Sequence, residues 1–156
     1  MRRFLLIAAL LAGLAAPLAA RAGSTDGTVS LTDGSGTFTL SGRGAVIGQI
    51  DKGSVKTVDP IPGDGSGPIV TGAEHQRAIS DTTSRYSGTD VSFRIIGGTF
   101  TVVVSGSGID LSFVGHGKLT ISADPRVVDD GKYSFDGGTT YQPVLPGLQT
   151  FNVGLT

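Results

Sequence analysis

Between residues 74 and 86 the chain gathers an acid, an imidazole, two guanidinium groups and a phenol: Glu74, His75, Arg77, Arg85 and Tyr86, with Gln76 and Asp81 among them. A carboxylate beside an imidazole is raw material for proton transfer, and a nearby guanidinium can hold negative charge on a ligand or a reacting group. Two readings stand open. The segment is either a binding patch, which could extend to a small hydrolase or isomerase centred on His75, Glu74 and Arg85, or a polar crossover loop between two sheets. Loops set on a rigid frame serve either role.

Elsewhere the chemistry is sparse. Cysteine is absent, Gly-x-Ser-x-Gly does not occur, and a Ser–His–Asp trio would have to recruit one of two histidines, His75 or His116. His116 falls between two glycines, where a hairpin tip exposed to water is expected. Of the 13 acids all but Glu74 are aspartates, and most are expected at turns, five of them directly before a glycine: Asp26-Gly27, Asp33-Gly34, Asp64-Gly65, Asp130-Gly131 and Asp136-Gly137. Aspartate there bends the chain by bonding to its own backbone, so paired-carboxylate hydrolysis has little to draw on. No cofactor is expected. Calcium is the alternative, because Gly106-x-Gly108-x-Asp110 partly matches the core of calcium-binding nonapeptide repeats; Ser112 breaks the match, and no tandem copies follow.

Export is written at the start of the chain. Arg2 and Arg3, the apolar run Phe4–Leu18 and the Ala20-Arg21-Ala22 site make residues 1–22 a secretory signal peptide, with 23–156 a single domain. A 15-residue apolar run is short for a membrane span of ~20. Losing Arg2, Arg3 and Arg21 takes the 12 basic residues to nine against 13 acids, so a formal charge of −1 becomes −4. Such mild acidity argues against nucleic acid as a partner. The expected location is the periplasm, the cell surface or the medium, with an envelope or extracellular partner and no membrane span after cleavage. An outer-membrane barrel is disfavoured, because its strands run ~9–11 residues with aromatic girdles. The strands expected here have six to eight, and the mature chain carries nine aromatic residues.

The elements that must position any site are β-strands. Residues 91–122 alternate apolar and polar over Val91–Ile96, Thr99–Ser105, Gly108–Val114 and Lys118–Ser122, separated by Gly97-Gly98, Gly106-Ser107 and Gly115-His116-Gly117. Read as tight reversals, these loops set Ile95 against Phe100, Phe93 against Val102, Val104 against Ile109 and Phe113 against Leu119, with eleven apolar side chains on one face. A Gly42-Arg43 reversal would likewise set Phe38 against Ile47, and a loop at 33–36 would set Leu31 against Phe38. The grammar of 36–60 repeats in 98–125, as Gly36-Thr37-Phe38-Thr39 against Gly98-Thr99-Phe100-Thr101. This echo is either an internal duplication or the habitual turns of a glycine-rich meander. Pro68–Thr71 reads as an edge strand, 73–80 as at most two turns of helix, and Lys132–Phe135 with Thr139–Tyr141 as a further hairpin. The tail after Pro143 should wrap an edge or lie loose.

The mature chain resembles glycine-rich, all-β exported bacterial proteins without an assigned activity, through Ser41-Gly42-Arg43-Gly44, Ser105–Leu111 and Gly131–Gly138. Ser105-Gly106-Ser107-Gly108 is also similar to an element of β-helical bacterial adhesin domains. The hairpin register opposes parallel coils, so nothing is carried over from those. The expectation is an all-β, antiparallel β-sandwich of about nine or ten short strands built from hairpin meanders, with a flattened β-barrel as the alternative. Its expected role is an exported, non-enzymatic binding or structural module.

Overall fold

Two long strands dominate the molecule. The computed structural model describes residues 26–123 and 129–154; the expected signal peptide, residues 1–22, and the Asp124-Pro125 end of the echo lie outside them. β1 spans Gly27–Val58 and β4 spans Thr83–Ala123, joined by a segment carrying β2 (Ile69–Thr71) and β3 (His75–Ser80). β5 (Lys132–Ser134), β6 (Gln142–Pro143) and β7 (Gly147–Val153) follow. The fold is all-β and antiparallel, and its one continuous sheet does not close into a barrel.

β1 and β4 form a two-stranded ribbon that coils on itself. Leu31 pairs with Leu111, and Leu111 pairs on its other side with Gly48, seventeen residues further along β1. Leu40 is flanked in the same way by Val102 and Leu119. The coil is flattened into two layers. Across the first the order runs Gln142, Tyr133, Leu31, Leu111, Gly48, Phe93, Val70; across the second it runs Phe151, Leu119, Leu40, Val102, Thr57, Ser84, Ala78. Apolar side chains from both layers belong to one buried cluster, so their inner faces look at each other as in a sandwich.

The long strands pass from layer to layer at corners, and glycine makes the corners possible. Gly53 faces Gly106, and Gly44 faces Gly115. A Cβ on Gly106 would meet the Lys52 carbonyl oxygen and lie 2.8 Å from the Gly53 Cα, so the two backbones cross closer than any side chain permits. Asp33 and Asp90 hold positive φ at two further bends, a conformation that aspartate tolerates better than most residues.

These corners replace the expected reversals. Ile95 faces Val46 rather than Phe100, Phe93 faces Gly48 rather than Val102, and Val104 lies between Phe38 and Val55 rather than opposite Ile109. Phe113 is flanked by Val29 and Val46, not by Leu119; Phe38 is flanked by Val104 and Ile121, not by Ile47 or Leu31. The short strands expected between residues 29 and 58 and between 91 and 122 are therefore straight runs within two long bent strands. The eleven-residue apolar face survives intact: Val91, Phe93, Ile95, Phe100, Val102, Val104, Ile109, Leu111, Phe113, Leu119 and Ile121 are all buried. Alternation decides which side a residue faces without regard to its partner, so the face was right where the pairing was wrong. The echoing segments run antiparallel against each other, and Gly42–Gly117 repeats the contact made by Gly53–Gly106.

Three smaller expectations also meet the structure. β2 is the expected edge strand. Residues 75–80 are extended rather than helical, because β3 pairs with 83–87 of β4. β5 pairs with Gln142-Pro143 rather than with 139–141, and the tail docks as β7 along 117–123. Among the described residues no helix is long and apolar enough to cross a membrane.

Candidate functional site

Alternation that sends Val46, Phe93 and Leu111 inward sends their neighbours outward, and on the first layer these outward groups line an open groove of about 730 Å³. Its lining falls into two cross-strand rows. One runs Ser30, Ser112, Ile47, Arg94, Ile69, each residue directly opposite the next. Two positions along the strands, the other runs from Thr32 and Asp110 through Gln49 and Ser92 to Thr71. Five strands at ~4.8 Å spacing make the first row about 19 Å long. Gly48 lies in the floor, and the Phe93 ring occupies the space where a side chain on Gly48 would stand.

Tyr141 lines the groove, carried by the loop between β5 and β6. Asp136 organises that loop. Its Oδ1 accepts hydrogen bonds from the Ser134 hydroxyl at 2.6 Å and from the amides of Thr139 and Thr140 at 2.9 and 2.8 Å. Those donors, led by Ser134, hold its carboxyl down at about 2. Thr28 pins the loop to β1 by donating its hydroxyl to the Phe135 carbonyl at 3.1 Å and accepting the Gly137 amide at 3.0 Å. Asp110 Oδ1 accepts the Asp33 amide at 2.9 Å, which ties one carboxylate oxygen to the corner.

The chemistry of the groove is mixed and nearly neutral. Hydroxyls from Ser30, Thr32, Thr71, Ser92 and Ser112 and the Gln49 amide both donate and accept, while Arg94 and Asp110 bring one charge of each sign. Between them Ile47 and Ile69 are 58% and 51% exposed, beside Ile96 at 61%. No histidine lines it.

No family model, curated protein or solved structure matches this chain. The site therefore rests on its own geometry.

The segment 74–86 lies elsewhere, on the hairpin of β3 and the start of β4 at one edge of the second layer. Arg77 sits directly opposite Arg85, and Arg85 directly opposite Lys56, so three cations stand side by side with His75 two positions along. Arg85 reaches across to donate to Ser54 Oγ at 3.1 Å. Glu74 turns away to accept from the Thr89 hydroxyl and amide at 2.6 and 3.2 Å, which lowers its pKa. Tyr86 lies opposite Val55 and Gln76, on alternate positions to Arg77 and Arg85. The structure thus brings Arg77, Arg85 and His75 onto one face and separates Glu74 and Tyr86 from them. His116 is not a free hairpin tip; it pairs with Arg43 across the ladder, and its Nδ1 lies 3.1 Å from Asp26 Oδ1. Among the described residues no group of three His, Asp or Glu is arranged to hold a metal.

Reading the sequence missed the groove because its residues are scattered over Ser30–Thr32, Ile47–Gln49, Ile69–Thr71, Ser92–Arg94 and Asp110–Ser112. One signal was present. Ile96 falls out of phase with Val91, Phe93 and Ile95, and an apolar group out of phase on a strand marks an outward surface with a use. Ile47, expected inward against Phe38, faces outward instead, because Val46 takes the buried position.

Proposed function

We propose that this chain is an exported, non-enzymatic binding module whose ligand lies across the outward face of the first layer. The observation that carries this reading is the groove itself: a rigid wall of five paired strands presenting two rows of outward side chains, with a tyrosine on a pinned loop beside them. Rigid display of this kind suits recognition, since little side-chain or loop entropy is lost on binding. The leader Met1–Ala22 supports delivery to the periplasm, the cell surface or the medium. Turnover in such a groove would need a base or nucleophile beside an acid; its lining offers one carboxylate, half engaged with Asp33, and no imidazole.

Two measurements test the reading. Residues 23–156, incubated with esters, glycosides and peptides, should show no turnover; activity lost in His75→Ala would overturn the non-enzymatic half and restore the 74–86 segment as a catalytic centre. The same protein should be retained on isolated bacterial envelope material and lose that retention in the double variant Gln49→Ala/Arg94→Ala. Equal retention of both proteins would overturn the binding face.

A further inference from the structure

The chemistry of the groove selects among ligands, and resting on the binding reading above, we infer that its ligand is a neutral polysaccharide chain. Four observations converge. The groove is open along its length and spans five strands, which suits a linear polymer; enclosed sites for small molecules bury most of their ligand. Its polar groups are hydroxyls and an amide, able to donate and accept at once, together with one guanidinium and one carboxylate. A polyanion would meet a single cation opposed by Asp110, and a lipid chain would strand those hydroxyls without partners.

Apolar surface is interleaved with these groups. Ile47, Ile69 and the Tyr141 ring stand among Ser112, Arg94, Gln49 and Thr71. A pyranose ring has the matching form, with C–H groups on its faces and hydroxyls around its rim. Its faces can pack on isoleucine and tyrosine while adjacent hydroxyls are gripped in pairs by the Gln49 amide and the Arg94 fork. Finally, four of the five strands beneath the groove are hydrogen-bonded on both sides, and only the outer side of β2, at one rim, is a free edge. Across the groove floor no main-chain edge is open to add a peptide strand, which disfavours an extended polypeptide lying there.

Native-gel affinity electrophoresis of residues 23–156 through dextran, mannan, galactan and amylose tests the inference, with polygalacturonate as the charged comparison. The inference requires retardation by at least one neutral polymer. It also requires binding to weaken about tenfold or more in Gln49→Ala and in Arg94→Ala, and to stay unchanged in Lys56→Ala on the other layer. Affinity for oligosaccharides of that polymer should rise with length until the groove is filled and then level off. Unchanged urea midpoints establish that the variants remain folded.

Retardation by none of the neutral polymers overturns the inference, as does retardation by polygalacturonate alone or binding indifferent to both groove variants. If no polysaccharide binds while envelope retention still depends on Gln49 and Arg94, the saccharide falls and the binding face stands. If retention is also indifferent to them, both fall.

Discussion

Replacing Gly106 with alanine separates a coiled ribbon from a stack of hairpins. Gly106 has φ of +152°, where an L-residue is strained, and an added methyl group would run into the Lys52 carbonyl and stand 2.8 Å from the Gly53 Cα. Strained φ costs roughly 1–3 kcal/mol, and forcing two backbones apart costs a further ~1–3, so the substitution should cost about 4 kcal/mol. Gly97, at φ +83°, has nothing within 4 Å of an added Cβ. Gly97→Ala should therefore carry only the conformational term, about 1–2 kcal/mol. Under the hairpin reading both glycines open a two-residue reversal and would cost alike. Urea denaturation followed by circular dichroism gives the comparison. With a slope of about 2 kcal/mol per M, Gly106→Ala should lower the midpoint by about 2 M and Gly97→Ala by less than about 1 M. Equal shifts, or a Gly106→Ala midpoint within ~0.5 M of the parent, would refute the crossing of backbones at that corner.

Further outcomes follow from single contacts. Gly48→Ala should destabilise by roughly 1–3 kcal/mol, since its methyl group meets the buried Phe93 ring and lies 3.0 Å from the Asp110 carbonyl; calorimetric melting measures this. The Asp136 carboxyl is held at about 2, below its unfolded value near 3.8, so its contribution is present above pH ~4 and lost as pH falls towards 2. Urea midpoints across that window should fall less steeply for Asp136→Asn than for the parent. Lys56, Arg85 and Arg77 stand in line, so Arg85→Gln should stabilise the protein slightly at low salt, by up to ~0.5 kcal/mol, with the gain shrinking as salt rises. Asp110 already spends one oxygen on Asp33, so millimolar calcium or chelator should leave the melting temperature unchanged.

What the sequence made legible was sidedness. Val91, Phe93 and Ile95 had to share a face whatever paired with them, because a period of two acts within one strand. Partner choice was not legible. Gly97-Gly98 and Gly106-Ser107 permit a tight reversal and a layer-crossing bend equally well, and only the facing glycine of another segment, such as Gly53 against Gly106, selects the bend. The matching clue was in the echo, where Ser41-Gly42-Arg43-Gly44 and Ser105–Gly108 place glycines at equivalent corners. The groove was hidden for the same reason: Ser30, Ser112, Ile47, Arg94 and Ile69 become neighbours only once the coil is known. The segment 74–86 was visible because its residues are adjacent in the chain. That adjacency is also what an edge hairpin offers, and alternation along it sends Tyr86 and Arg85 to opposite sides.

The native chain has no cysteine, so introduced pairs report on neighbours directly. Thr39 lies opposite Val103 on one side and Thr120 on the other, at the Cα separations that a disulfide accepts. Under mild oxidation Thr39→Cys should cross-link both with Val103→Cys and, in a separate variant, with Thr120→Cys, while Val103→Cys with Asp110→Cys should stay reduced. Cross-linking of the 103–110 pair, or failure of either Thr39 pair in a folded protein, would contradict the coiled ribbon on which the groove is built.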